Sequence, residues 1–379
     1  TLNGNETLTL TFDYLGETPP AYTYRLLHCD RRWNSSELPP STYLNGYETN
    51  ALPHPRTSMA TQQTYYHYHL QIPNHDTQPT LSGNYILQVL DPDDEHIVLQ
   101  KRFALVEPLI PILAKITQVT GAKSRTHQRI EAQLDYSPLG QFIAPRDLHL
   151  LVRQNWYGSC TQELNLAGYT GTTTLRYGRI GQGMFPGANE WRTLDLQQLY
   201  GNHQNYQDVR NADGEFHVQL YTDKPLSPIH HLTHQEDLNG YPAIGYTGDW
   251  RTLYAQGSSS KHSPLESDYA WVYFALTNQL THLNDTIYLQ IGGLYDNPGI
   301  PMRYSHERHQ YEASLRLKQG VYSYRYLLAD DLTPTCNHPY ATEACFSTTE
   351  NTYNLLLYYR PPAATYDRLI GHTLISTHP

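Results

Sequence analysis

The chain has 379 residues, with 26 Lys and Arg against 36 Asp and Glu for a net charge of −10, and its aromatic content is dominated by 33 tyrosines. That acidic balance argues against a nucleic-acid partner, which needs basic density to displace counterions, and against docking on an anionic lipid surface. No apolar run approaches the ~20 residues that cross a bilayer as a helix, and the length suggests roughly two to three domains.

Tyrosine joins a large apolar body to a hydroxyl that wants a partner, so it suits sheet faces and interfaces alike. Most of these tyrosines are expected to be strand residues with wet tips, with some left over for a partner surface. Residues 1–108 read as a first β-sandwich. In residues 7–14 (TLTLTFDY), Leu8, Leu10, Phe12 and Tyr14 share one face; Tyr22, Tyr24 and Leu26 then fall together. Residues 65–72 place Tyr66, Tyr68, Leu70 and Ile72 on one face and Tyr65, His67, His69 and Gln71 on the other. Short strands at this spacing, broken by turn residues and without a helical period, are what an immunoglobulin-like sandwich needs. Pro108 and Pro111 mark a linker.

A middle sandwich is expected over 112–226, with strands near 129–136, 148–152 and 215–221. Within it lies the glycine-rich stretch 178–191 (GRIGQGMFPGANEW). Long loops inside compact domains are uncommon and often functional, so Arg179, Met184, Phe185 and Trp191 are the candidates for partner contact; a structural loop with turn glycines is the plainer alternative. A third sandwich is expected over 235–379, after a hinge at 226–240. It is anchored by 321–328 (VYSYRYLL), where Tyr322, Tyr324, Tyr326 and Leu328 alternate with Val321, Ser323, Arg325 and Leu327. Tyr353, Leu355, Leu357 and Tyr359 repeat that period until Pro361 and Pro362 end it. Two tyrosine-faced strands joined by a long loop suggest one sheet. The fold class is thus all-β: three tandem immunoglobulin-like or E-set-like antiparallel sandwiches.

Of the four cysteines, Cys29 and Cys160 read as small core hydrophobes. Cys336 and Cys345 bracket an eight-residue loop and can either close as a hairpin-like disulfide or stay as two buried thiols. No C-x-x-C pair supports zinc. His230, His231 and His234 with Glu236 and Asp237 are the best metal candidate, but nothing around them reads as helix. His306 with His309, and the acidic run Asp91, Asp93, Asp94 and Glu95, are better read as solvated turns. There is no G-x-S-x-G elbow and no complete dinucleotide loop, because Pro186 stands where a third glycine belongs. No catalytic, metal or cofactor residues are assigned, and the chain is read as non-enzymatic.

The phrases LKQGVYSYRY, TENTYNLLLYYRP and YDRLIG resemble the plug-protein family of the Bacteroidota type IX secretion system. Tyr22-x-Tyr24, His28-Cys29-Asp30 with Trp33, Tyr43-Leu44-x-Gly46, and residues 65–73, 82–87, 186–192 and 268–276 extend the resemblance in order along nearly the whole chain. It implies a periplasmic protein, associated with the outer membrane, whose export signal has been removed. Its implied partner is a giant outer-membrane translocon barrel, which it would close as a monomer in the complex without inserting into the membrane. A rival reading is a tandem-sandwich glycan-binding protein of the envelope. Trp156, Trp191, Trp250 and Trp271 would then form an exposed sugar platform; buried tryptophans would count against it.

Overall fold

A computed structural model of the chain describes residues 1–377 apart from 141–142, 156–159, 180, 200–205, 227–228, 233–236, 246–263, 278–285, 295–298 and 329–341. The architecture is all-β, built from antiparallel sheets around three principal hydrophobic cores. Around the first core, Thr23–Cys29 and Gly83–Leu90 are central to a four-stranded sheet that Thr49–Ala51 and Ile97–Leu105 complete. Facing it, Tyr66–Ile72 pairs with Leu8–Tyr14 and Arg56–Thr57. The period-two apolar pattern points Tyr24, Leu26, Leu70, Ile72, Tyr85 and Leu87 into the space between.

The second core lies between two sheets. One runs Ile112–Gln118, His127–Asp135, Thr174–Tyr177, Leu166–Tyr169, with Met184–Pro186 also paired to His127–Asp135. The other runs Thr161–Leu164, Leu148–Gln154, Thr352–Tyr359, Arg368–Ser376. Around the third core, Gly320–Leu328 is central, flanked by Arg192–Asp195, Ala243–Ile244 and Ile287–Ile291. The facing sheet contains Asp208–Ala212, Glu215–Gln219, Tyr269–Thr277, Gln310–Lys318 and Arg303–Ser305, with one parallel pairing, Glu215–Gln219 to Tyr269–Thr277.

Strand pairing crosses the boundaries expected at 226 and 235. Arg192–Asp195 and Glu215–Gln219, read from sequence as part of the middle unit, belong to the sheets of the third core. Thr352–Tyr359 and Arg368–Ser376, read as part of the last unit, pair instead with Leu148–Gln154 around the second core. The two tyrosine-faced strands therefore lie in different sheets, a correction to the single sheet expected. Alternation identifies a strand and its faces but carries no information about which strand lies beside it.

Both strands are covered on both faces. Tyr322, Tyr324 and Tyr326 enter the third core, while Val321, Ser323, Arg325 and Leu327 are buried on the other side. Tyr353, Leu355 and Leu357 enter the second core, while Leu356 and Tyr358 meet Ala104 and Val106 of the first sandwich. Many tyrosine tips are accordingly dry, contrary to expectation. Tyr85 donates to the Leu81 carbonyl at 2.8 Å, Tyr68 to Pro20 at 2.6 Å and Tyr358 to Asn84 Oδ1 at 2.7 Å. Each pairing lets the ring be buried without leaving its hydroxyl unsatisfied.

Candidate functional site

The stretch flagged for partner contact is mostly interior. Arg179 is exposed, and its Nε donates to the Leu166 carbonyl at 2.7 Å. Met184 is half-buried and starts the short strand against Arg129. Phe185 is fully buried, edge-on to Tyr353 with ring centroids 5.2 Å apart. Trp191 is buried between the backbone of Gly240 and the Arg325 guanidinium, which stands 4.2 Å from its ring centre. Phe185 and Trp191 are therefore packing residues of this chain, with no surface left to offer a partner. Glycine and proline made the segment look like a loop, whereas Gly187 is there for close approach. A Cβ on it would lie 1.8 Å from the Phe346 carbonyl oxygen.

Residues 186–192 are the outgoing connection from the second core to the third, and 342–352 the returning one; the two are zipped together. Ala188 accepts from Phe346 N at 2.7 Å and from Thr349 Oγ1 at 2.8 Å, while Asn351 Nδ2 donates to Gly187 O at 2.8 Å. Asn189 Nδ2 donates to Glu343 O at 2.8 Å and its Oδ1 accepts from Leu232 N. Gln128 Nε2 reaches both Ser347 O and Thr349 O at 2.8 Å. Side-chain amides suit this seam because each offers two donors and an acceptor to backbone that no sheet satisfies.

Buried charge marks the junctions. Arg192 donates through Nε to Glu343 Oε1 and through Nη1 to Asp223 Oδ1, both at 3.0 Å. Tyr324 and Tyr326 donate to the other Asp223 oxygen at 2.9 and 2.8 Å. Burial outweighs the pull of Arg192 and raises the Glu343 carboxyl. Next to this pair, burial pushes Glu190 up to about 7, with the charges of Asp237 and Glu350 adding to the rise, and pushes Asp237 up to about 6, where Glu350 adds as well. Glu190 accepts from Glu350 N at 2.9 Å and Asp237 from Asn239 N at 2.7 Å; His231 Nε2 lies 3.7 Å from Glu190.

A different set joins the first sandwich to the third. Asp13 and His67 stand directly opposite in register and share a 2.6 Å contact, and Lys318 Nζ lies 2.6 Å from the other Asp13 oxygen. Tyr269, the cross-strand neighbour of Lys318, donates to that same oxygen at 2.8 Å, and Lys318 Nζ sits 4.1 Å above the Tyr65 ring. Burial alone would raise the Asp13 carboxyl, but these donors hold it below its ordinary value. The first sandwich meets the second at fully buried Asp367, which accepts from Arg31 N at 2.9 Å, and at Arg368, which pairs with Glu107 at 2.7 Å. All three units therefore touch one another.

Other candidates resolve similarly. Asp91, Asp94 and His96 lie close enough to share a cation, yet Asp91 Oδ1 accepts from Asp93 N and Asp94 Oδ1 from His96 N, which is turn chemistry. His231 stacks on Phe346 at 4.4 Å and contacts Thr349, while His306 and His309 are exposed; His234 and Glu236 lie outside the described residues. Of the tryptophans proposed as a sugar platform, Trp191 is buried. Trp271 is half-buried beneath Arg316 and bonded to Glu215, and Trp156 and Trp250 lie outside the described residues. Cys345 is a free buried thiol, so of the two alternatives the bridge to Cys336 is not made; Cys336 lies outside the described residues. The Cys345 sulfur accepts from Ala188 N and contacts Thr126 O, which fixes it in the crossover. Cys160, expected as a free core residue, is disulfide-bonded. Sequence reasoning passed over Asp13, Lys318, Arg192 and Asp367. Only Asp13 carried a local signal, as the one charged residue of Leu8–Tyr14; the strands of Lys318 and Arg192 hold other charges, and Asp367 precedes its strand.

Residues 1–107 match the family described as the type 9 secretion system plug protein 1st domain. The whole chain is similar to a hypothetical protein from Parabacteroides merdae whose crystal structure was determined at 2.30 Å resolution. The two share 27% identity with a TM-score of 0.86, over 99% of this chain and 92% of the other. No curated protein matches. No helix among the described residues is long and apolar enough to cross a membrane, and the plug family is not a known enzyme family. The match places residues 1–107, the first domain of this chain, with the type 9 secretion system plug family.

Proposed function

We propose that this chain is a non-catalytic periplasmic plug that binds the outer-membrane barrel of the type 9 secretion system and occludes it when no cargo passes. The observation that carries the reading is mutual closure. The first sandwich bonds to the third through Asp13 and Lys318 and to the second through Asp367 and Arg31, while the second and third are joined by two zipped crossovers. Such a body acts as one wide object rather than a string of beads. A single ~120-residue sandwich is roughly 35 Å across, and a compact chain of this length roughly 54 Å. A barrel of about 36 strands, spaced ~4.8 Å and tilted ~40°, is roughly 70 Å across. More than one of the three units must therefore contact the wall.

Asp13, Glu343, Glu190 and Asp237, whose carboxyl pKa values are displaced, fit this reading, since they sit in seams and are engaged by neighbours of the same chain. The decisive test is a deletion strain with its translocon intact. Loss of the protein should admit large antibiotics that the outer membrane normally excludes, and complementation should restore the barrier. Unchanged exclusion in the deletion strain would defeat the proposal.

A further inference from the structure

The sandwich around the second core is open along one seam. Ile112–Gln118 is the edge of one of its sheets and Arg368–Ser376 the edge of the other. Among the described residues the seam is closed only at its start, where Leu109 N and Ile110 N donate to the Ile370 carbonyl at 2.9 and 3.0 Å. Beyond that point the edges part around a groove of about 910 Å³.

Ladder alternation shows which backbone groups face it. Ile130 N donates to Gly183 O, away from Ile112–Gln118, so its register partner Ile116 turns its own N–H and C=O outward. Ala114 and Gln118 do the same, while Lys115 and Thr117 bond inward. On the opposite edge Thr377 N donates to Asn351 O, which turns His372 and Leu374 outward. No backbone hydrogen bond to these outward groups is present among the described residues.

An independent observation points to the same groove. His127 lines it, is 4% exposed, and has a buried Nε2 without any hydrogen-bond partner, while its Nδ1 is 2.8 Å from Thr126 Oγ1. A buried polar atom left this way costs free energy unless something supplies its partner.

We propose that the groove between the Ile112–Gln118 and Arg368–Ser376 edges receives an extended, uncharged segment of the partner polypeptide as an added β-strand. Two facing rows of backbone donors and acceptors at the strand repeat fit a strand and cannot be met by a helix, whose backbone bonds are internal. From Ala114 to Gln118 the row spans about 13 Å, room for roughly five residues. The lining selects against charge. Among the groove's residues Lys115 is the ionised side chain, and Glu131 already matches it at 3.3 Å. Ala114, Ile116 and Ile375 offer small and β-branched surface to alternate apolar side chains. A strand inserted here would complete a sandwich that its own chain leaves unzipped.

The inference rests on the plug reading, and amide exchange separates their failures. In the free full-length protein the Ala114 and Ile116 amides should exchange at least tenfold faster than those of Lys115 and Thr117; slow exchange at Ala114 and Ile116 would overturn the inference. In the purified complex with the detergent-solubilised barrel, Ala114, Ile116 and Leu374 should slow by tenfold or more. A complex that forms with those amides unchanged would overturn the added strand and leave the plug standing; no complex would overturn both. Ala114→Pro removes an outward N–H without touching the ladder, so it should weaken the complex about fivefold. Lys115→Pro, which breaks a ladder bond, should lower stability as well. Protection that arises from self-association, without the barrel, would also overturn the inference.

Discussion

Two junctions meet at the third sandwich, and they are built on opposite electrostatic principles. Where it meets the first sandwich, one carboxylate, Asp13, is surrounded by His67, Lys318 and Tyr269, all donors to it. Where it meets the second, Glu190, Asp237 and Glu350 gather with His231 beside them, and burial pushes Glu190 and Asp237 up in pKa. The first junction is complementary and depends on every member being present. The second tolerates like charges because covalent connection and side-chain amides already hold it. A junction made by two chain crossings can carry electrostatic conflict that a docked surface cannot.

The sharpest way to break this contrast is to remove Asp13. Asp13→Ala leaves Lys318, 5% exposed, without its counter-ion, and should cost about 3–5 kcal/mol of stability, read as a fall in urea midpoint. Replacing both partners with apolar residues, Asp13→Leu with Lys318→Met, should recover most of that loss. If the single variant were as stable as wild type, the first sandwich would not depend on this contact.

Gly187→Ala tests the crossover instead. The added methyl would meet the Phe346 carbonyl, so the returning segment must shift, at about 2–3 kcal/mol. A substitution at nearby Gly181, which has open space around it but a positive φ, should cost less, about 1 kcal/mol, from backbone strain alone.

How far these features could be read from the sequence follows from their range. The strand at 321–328 and its tyrosine face were legible because period two is a local property. Its neighbours were not, since Arg192–Asp195 lies well over a hundred residues upstream and nothing local encodes the pairing. Phe185 and Trp191 were misplaced for a related reason: glycine and proline signal a departure from regular structure and say nothing about what covers it. His67 and Asp13 sat on the face that alternation assigns to solvent, and that face becomes interior only once Lys318 docks on it. The open edge at Ile112–Gln118 is likewise visible only after the sheets are assembled.

Acidity offers the gentlest probe of the second junction. Glu190 and Asp237 have raised carboxyl pKa values in the folded chain, so each binds its proton more tightly folded than unfolded. Their burial carries no electrostatic penalty below about pH 4, and the penalty grows as pH rises through about 6 to 7. Histidines with lowered values, such as His127 at about 4, act in the opposite sense by losing stability as pH falls below about 6.5. The net pH profile of the wild type therefore mixes both signs, and the informative quantity is the difference from a variant. Glu190→Gln with Asp237→Asn should be more stable than wild type at pH 8, by on the order of 1–2 kcal/mol, and the advantage should vanish by pH 4. An advantage that persists unchanged at pH 4 would mean that the substitutions act through packing. The same titration at Asp13 should run the other way: a carboxyl held below its ordinary value contributes stability that is lost on acidification, so the first sandwich should release before the crossovers loosen.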